Sequence, residues 1–139
     1  MRNYDRDRKT RQIAFSGDGG ESWSDQRHQP ALIEPICQAS LRRYSWPEDP
    51  TGSVLLFANP ASAEARERMT LRVSTDEGEH WSDGVVLHQG PSAYSDLVVL
   101  PNGLIGCAHE AGAAGPVRTH VGVPRGRRAA TAARPSPRV

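Results

Sequence analysis

Two short segments of the sequence place a carboxylate, a glycine and an indole at the same spacing. Residues 16–24 and 74–82 both fit the pattern S-x-D-x-G-x-x-W-S. A carboxylate beside an indole resembles a sugar site, but turn chemistry explains each fixed position: the aspartate accepts amide hydrogen bonds, the glycine takes positive φ and the indole packs beneath the turn. We therefore predict structural roles in two hairpin turns for Ser16, Asp18, Gly20, Trp23, Ser74, Asp76, Gly78 and Trp81.

A second candidate for chemistry is the concentration of arginine near the C-terminus. Residues 1–112 hold 11 basic and 16 acidic side chains, whereas residues 113–139 hold six arginines and no acid. Arg125–Arg128 could attract phosphate, but no aromatic residue accompanies the charge, so no nucleic-acid partner is expected. The Ala, Arg and Pro composition predicts a disordered tail over 113–139, or alternatively the product of a shifted reading frame.

Length and cysteine content restrict the class of protein. The 139 residues suffice for one domain, and no apolar run approaches the roughly 18 residues of a membrane helix. The first residues lack a signal-peptide core, so we expect a chain that is cytoplasmic as written, or secreted or periplasmic if a preceding segment carries a signal. Cys37 and Cys107 have neither zinc-site spacing nor the density of a disulfide scaffold, so no metal is expected.

The elements that must position these residues are short strands. Seven segments before the tail are rich in β-branched, aliphatic or aromatic residues and are separated by Gly, Pro, Asn and Asp turn sequences. No window favours a long helix, so the predicted fold class is all-β. The predicted strands are Thr10–Ser16, Ile36–Tyr44, Ser53–Ala58, Met69–Ser74, Val85–His88, Tyr94–Leu100 and Leu104–His109.

The spacing of the two turn segments predicts the architecture. They lie 58 positions apart, and a repeat of about this length with four strands is typical of one blade of a β-propeller. Residues 36–88 then form one complete blade, with residues 1–28 as the latter half of the preceding blade and 92–110 as the first half of the next. Because each blade needs neighbours to bury its faces, residues 1–112 are predicted to be part of a longer propeller.

Residues 1–112 resemble the C-terminal part of the exo-α-sialidase (neuraminidase) family. Its members are six-bladed β-propellers that carry the turn segment described above, the Asp-box of BNR repeats. Many other glycan-related propellers share that box, so the resemblance rests on four further stretches in the family's order and spacing: Met1–Arg6, Pro35–Ser40, Leu55–Ser62 with Arg66, and Ser92–Gly112. It implies a partial six-bladed propeller.

The resemblance also implies a site for an anionic sugar. The sialidase substrate carries a carboxylate on its anomeric carbon, and the family holds it with three arginines, whose planar donors match the two oxygens. Arg6 and Arg66 resemble the second and third of these arginines. Their neighbours Arg2 and Arg68 do not match the family's positions. Gln38 matches a polar position beside the sugar's glycerol side chain. From local sequence alone, each of these arginines is interpreted as an ordinary surface residue.

Tyr94 resembles the family's nucleophile. A carboxylate attacking beside the substrate's own carboxylate would be repelled, and sialidases use tyrosine instead. Glu110 matches the glutamate that supports the first arginine of the triad. That arginine, the general acid and the base are expected upstream of Met1. From local sequence alone, Tyr94 is instead a packed aromatic of an innermost strand.

The implied function is retaining hydrolysis of terminal sialic acid from glycoproteins, glycolipids or oligosaccharides, with no cofactor. Because part of the catalytic set is expected outside the chain, we predict weak activity or none for these residues alone. The alternative is a non-catalytic, glycan-binding Asp-box propeller fragment. No membrane partner is expected.

Overall fold

The computed structural model describes residues 1, 3–112 and 118–122, the last range by its backbone alone. Every regular element in these ranges is a β-strand, so none of the described residues forms a helix of the length and apolarity that a membrane crossing needs. The strands are β1 (Thr10–Ile13), β2 (Arg27–Ile33), β3 (Ser40–Ser45), β4 (Val54–Pro60), β5 (Glu67–Ser74), β6 (Val85–Val99), β7 (Ile105–Ala111) and β8 (Arg118–Gly122).

The strands pair with their neighbours in chain order, and every pair is antiparallel. β1 and β2 form a hairpin, and β3 to β8 form one continuous sheet. β3, β4, β5 and the first part of β6 make a four-stranded blade, while the second part of β6 pairs with β7 and belongs to the next blade. This arrangement confirms the predicted all-β fold with part of a propeller.

β6 joins two segments that the sequence separates. The sequence predicts Val85–His88 and Tyr94–Leu100 as independent strands because Gly90 and Pro91 between them are typical turn residues. In the structure the strand continues, and Pro91 lies where it passes from β5 to β7. A proline can stand there because it needs no partner for an N–H.

Two strands were not predicted. β2 has the polar sequence RHQPALI, but its Gln29 and Leu32 side chains are buried while Pro30 is exposed. Burial of these two side chains against the rest of the chain outweighs the weak strand propensity. β8 lies within 113–139, for which the sequence predicts a disordered tail; the remainder of that segment is outside the described residues.

The core lies on one face of the sheet and spans four strands. Its buried side chains are Leu56, Ala58, Met69, Leu71, Leu97 and Cys107, so the complete blade and the next one share a single apolar cluster. Both cysteines are free and buried. Burial raises the pKa of the Cys107 thiol to about 11, which keeps it protonated and unreactive near neutral pH.

Candidate functional site

A pocket of about 360 Å³ lies where three connections meet: the segment before β1, the segment between β2 and β3, and the β4–β5 turn. Three of the side chains that line it are cationic, and none of its described lining residues is acidic. Such a pocket attracts an anion. The lining consists of Tyr4, Arg6, Lys9, Pro35, Ile36 and Arg66.

The pocket therefore contains both arginines that the sequence singles out, together with a lysine that it misses. Arg6 and Arg66 come from different blades and meet at this surface. Lys9, the single lysine of the sequence, follows Arg6 in the same loop, and nothing in its local sequence marks it as a binding residue. Arg2 lies outside the described residues.

The loop that carries Arg6 is built around the buried amide of Asn3. The Asn3 side chain is 1% exposed, and its Nδ2 donates to three main-chain carbonyls of the loop. Its Oδ1 accepts the N–H of Asp5 at 2.8 Å. One asparagine thus replaces the regular ladder that this segment lacks, and it fixes the course of the chain on both sides of Arg6.

A buried ion pair lies behind this loop. Arg11 Nη2 lies 2.6 Å from Glu34 Oε2 and donates to the Cys37 carbonyl at 3.0 Å. The guanidinium also lies 5.7 Å from the Phe57 ring centroid, and Glu34 Oε1 accepts the Asn3 N–H at 3.1 Å. These contacts connect β1, the end of β2 and β4 beneath the loop of the pocket.

Arg66 ends the turn between β4 and β5. The Ser62 hydroxyl accepts two N–H groups within this turn, and the Ala61 N–H donates to the Arg68 carbonyl at 3.0 Å. The Arg66 carbonyl accepts the Ser92 N–H at 2.8 Å, which attaches the turn to β6. Arg68 is outside the lining of the pocket and has a φ of 59°.

Tyr94 lies on β6 close to this attachment. Its side chain is 46% exposed, so it is not a packed core aromatic. Its backbone N–H donates to Glu110 Oε2 at 3.2 Å. The ring is not part of the pocket lining, but Tyr94 is only two residues from Ser92, which is bonded to the Arg66 carbonyl.

Gln38 forms hydrogen bonds to the main chain of Ser95, the residue after Tyr94 on β6. Its Nε2 donates to the Ser95 carbonyl at 3.0 Å, and its Oε1 accepts the Ser95 N–H at 2.9 Å. Gln38 is also absent from the lining of the pocket. The side chain that the resemblance assigns to the sugar therefore binds the protein backbone in this structure.

The two Asp boxes form the turns β1–β2 and β5–β6 with the same hydrogen bonds. In the second box the Ser74 hydroxyl donates to Asp76 and accepts the Gly78 N–H, both at 2.9 Å, while the indole of Trp81 donates to the Gly78 carbonyl at 3.0 Å. Gly78 has a φ of 92°. Equivalent bonds and a φ of 100° are found in the first box among Ser16, Asp18, Gly20 and Trp23.

The boxes lie far from the pocket. Arg66 immediately precedes β5 and the second box follows its last residues, so the length of an eight-residue strand, about 25 Å, separates them. Arg6 and the first box likewise lie at opposite ends of β1. The box carboxylates accept hydrogen bonds from donors of the turn. Hydrogen bonds from the His80 N–H, and to a lesser extent from the His80 side chain, lower the pKa of Asp76 to about 2.

A cationic pocket at one end of curved antiparallel blades and Asp-box turns at the other define the chain as part of an Asp-box β-propeller. The sequence model of the BNR repeat-like domain matches residues 1–107. The chain belongs to this family.

The relatives found by sequence are sialidases. The chain is 39% identical over 106 residues to a sialidase of Micromonospora viridifaciens, which covers 73% of this chain and 16% of that protein. It is 30% identical over 110 residues to a sialidase of Bacteroides fragilis, with 76% and 20% covered. The chain thus spans a fifth or less of the length of these relatives.

Solved structures agree with this relationship. The Hadza microbial sialidase Hz136 superposes with a TM-score of 0.62 at 31% identity, covering 70% of this chain and 20% of that one. The chain is therefore a sialidase-like portion of a β-propeller.

Proposed function

We propose that the chain is part of an exo-α-sialidase that hydrolyses terminal sialic acid with retention of configuration. The observation that carries the proposal is the meeting of Arg6 and Arg66, which are distant in sequence, in one cationic pocket. Sialic acid is the common terminal sugar with a carboxylate on its anomeric carbon, and paired guanidiniums match the two carboxylate oxygens. The proposed substrates are sialylated glycoproteins, glycolipids and oligosaccharides.

In this proposal the pocket orients the sugar for attack by Tyr94. Arg6 and Arg66 bind the carboxylate, and Lys9 adds positive charge beside them. The Tyr94 oxygen attacks the anomeric carbon as the bond to the leaving group breaks, which gives a glycosyl-tyrosine intermediate. A neutral phenol is a weak nucleophile, so a base must take its proton as it attacks.

The remaining steps need two further groups. An acid protonates the departing oxygen, and water then cleaves the glycosyl-tyrosine bond to release the sugar with retained configuration. By resemblance to the family, both the acid and the base belong to preceding blades. We expect little or no turnover from residues 1–139 alone.

The proposal is tested with the chain and with a chimaera. Residues 1–107 replace the corresponding segment of the Micromonospora viridifaciens sialidase, and turnover of a fluorogenic sialoside is measured. We expect an active chimaera, an inactive Tyr94→Phe variant and an active Tyr44→Phe control, which loses only the bond from the Tyr44 hydroxyl to the Gly103 carbonyl. A Tyr94→Phe chimaera with full turnover contradicts the assignment, and Tyr94-dependent turnover by the chain alone contradicts its predicted inactivity.

A second candidate function is glycan binding without catalysis. It is favoured by the position of Tyr94, which lies outside the lining of the cationic pocket. Titration of the chain with free sialic acid separates the two. Binding that is lost in Arg66→Ala and unchanged in Tyr94→Phe, together with an inactive chimaera, supports recognition alone.

A further inference from the structure

We infer that Gln38 is a positioning residue for Tyr94 and does not contact the sugar. The inference rests on the proposed function, because it takes Tyr94 as the nucleophile. Both polar ends of the Gln38 amide are bonded to the backbone of Ser95, the residue that follows Tyr94, at 3.0 and 2.9 Å.

The need for such a residue comes from an irregularity in β6. Ser92 pairs with Ala111 and Ser95 with His109, so one extra residue lies between these pairs on β6. A bulge of this kind interrupts the ladder and redirects a side chain, and its freed backbone groups must find other partners. Tyr94 lies within this bulge.

Two side chains supply those partners on either side of the Tyr94 Cα. Glu110 accepts the Tyr94 N–H at 3.2 Å, and Gln38 satisfies both the N–H and the carbonyl of Ser95. The peptide groups that flank Tyr94 are thereby fixed. Gln38 comes from the segment before β3 and Glu110 from β7, so the bulge is held by two blades.

The side chain of Ser95 fixes the same point to the complete blade. Its hydroxyl donates to the Ala58 carbonyl at 3.1 Å and lies 2.9 Å from the Ser40 hydroxyl. Ala58 belongs to β4, which leads into the turn that carries Arg66. The position of Tyr94 relative to Arg66 is thus set by bonds between the complete blade and the next one.

A sugar contact that turned the Gln38 amide away from Ser95 would break both bonds and leave an N–H and a carbonyl in a partly buried position without partners. An unsatisfied group of this kind raises the free energy by more than a solvent-exposed hydrogen bond to a sugar hydroxyl lowers it. The observed hydrogen bonds therefore favour the positioning role.

The test uses the isolated, isotope-labelled chain and three variants. Gln38→Met removes both bonds at similar volume, Gln38→Glu keeps an acceptor for the Ser95 N–H, and Ser40→Ala is the matched control that removes only a side-chain contact to Ser95. Amide exchange at Ser95, the ring signals of the three tyrosines and the affinity for free sialic acid are measured.

In Gln38→Met we expect Ser95 exchange to accelerate by about 3- to 10-fold and the Tyr94 ring signals to shift, while those of Tyr4 and Tyr44 stay unchanged. Affinity for sialic acid stays within about twofold of the parent chain. Gln38→Glu restores most of the protection at Ser95. Ser40→Ala keeps the bonds of Ser95 to Gln38 and Ala58, so it changes the Ser95 exchange and the Tyr94 signals less than Gln38→Met does.

Unchanged Ser95 exchange and Tyr94 signals in Gln38→Met overturn the inference, most plainly if affinity for sialic acid falls more than about tenfold. If Gln38→Met does not fold, Gln38→Glu decides: loss of protection despite the retained acceptor also overturns it. A parent chain that shows no affinity for sialic acid counts against the proposed function only, because the exchange and ring measurements need no ligand.

Discussion

At the scale of single residues, exposure and position distinguish arginines that could bind a ligand from arginines that stabilise the fold. Arg6 and Arg66 are exposed and line the pocket, whereas Arg11 and Arg72 are buried. Burial lowers the pKa of Arg72, whose Nη1 donates to Asn59 at 3.3 Å inside the sheet. The exposed pair is free to bind an external carboxylate, while the buried residues already serve the fold.

This distinction predicts the effect of removing one guanidinium. Arg66→Ala should weaken the affinity of the chain for free sialic acid by about 10- to 100-fold, since it removes charge-assisted hydrogen bonds to the carboxylate. Arg68→Ala, two positions away and outside the pocket lining, should change the affinity by less than about twofold. Isothermal titration at low and high salt measures both variants, and equal losses would place the anion site elsewhere.

The same measurement separates the first two arginines of the sequence. Arg6→Ala should lower the affinity as Arg66→Ala does, and Arg2→Ala should leave it nearly unchanged. If Arg2→Ala has the larger effect, the assignment within the R-x-x-x-R pattern is wrong and Arg2 takes the role given to Arg6.

At the scale of elements, the Asp-box turns depend on a charged carboxylate. In the second box Asp76 Oδ1 accepts the N–H of His80 at 2.9 Å, and Oδ2 lies 2.6 Å from the His80 ring nitrogen. The pKa of Asp76 is thereby lowered from 3.8 to about 2. In the first box Ser22 replaces the histidine, and its hydroxyl and N–H lower the pKa of Asp18 as well.

A lowered carboxylate pKa in the folded state makes stability depend on acid. The contribution of Asp76 is fully present above pH 4 and is lost as the pH falls toward 2. Asp76→Asn should therefore lower the thermal midpoint at pH 7 and flatten its decline between pH 4 and 2, which Trp81 fluorescence can follow. Asp25→Asn, at an exposed aspartate outside both boxes, is the control; an unaltered pH profile in Asp76→Asn would show that the turn does not need the charge.

The sequence predicts those parts of the fold that are determined by residues within a short window. The strand centres and both box turns follow from alternation and turn residues in short windows, as for Met69–Ser74. β2 could not be predicted in this way, because its buried Gln29 bonds to main-chain carbonyls of the second box, which is distant in sequence. The continuity of β6 through Pro91 is likewise decided by its two partner strands.

The candidate site shows the same limit. Arg6, Arg66 and Tyr94 were found through resemblance to a family, since each alone is an ordinary surface or strand residue. Lys9 and Asn3 were missed because their roles depend on the course of a loop without a regular pattern. The pairing of Gln38 with Ser95 was missed because it connects distant segments.

At the scale of the whole molecule, the hairpin β1–β2 is joined to the complete blade at both ends. At the pocket end, Arg11 of β1, which forms the buried pair with Glu34, also donates to the Cys37 carbonyl and lies against the Phe57 ring of β4. At the Asp-box end, Arg27 pairs with Glu79 on the surface, and Gln29 Nε2 donates to the Glu79 carbonyl at 3.0 Å. The two ion pairs have similar chemistry and opposite environments, so they should contribute very differently to stability.

Removing one partner of the buried pair leaves a charge inside the protein. Glu34→Gln should lower the free energy of unfolding by about 3 kcal/mol, because Arg11 then loses the charge of the carboxylate 2.6 Å away in a site that is 5% exposed. Arg27→Ala breaks a pair whose side chains are about half exposed and should cost less than about 1 kcal/mol. Urea unfolding measures both values.

Glu34 also accepts the N–H of Asn3, which organises the loop of Arg6. Glu34→Ala removes this acceptor as well as the charge and should therefore weaken sialic-acid affinity under conditions where the chain remains folded, whereas Arg27→Ala should not. Equal losses of stability in Glu34→Gln and Arg27→Ala would mean that the buried pair contributes no more to stability than the surface pair does.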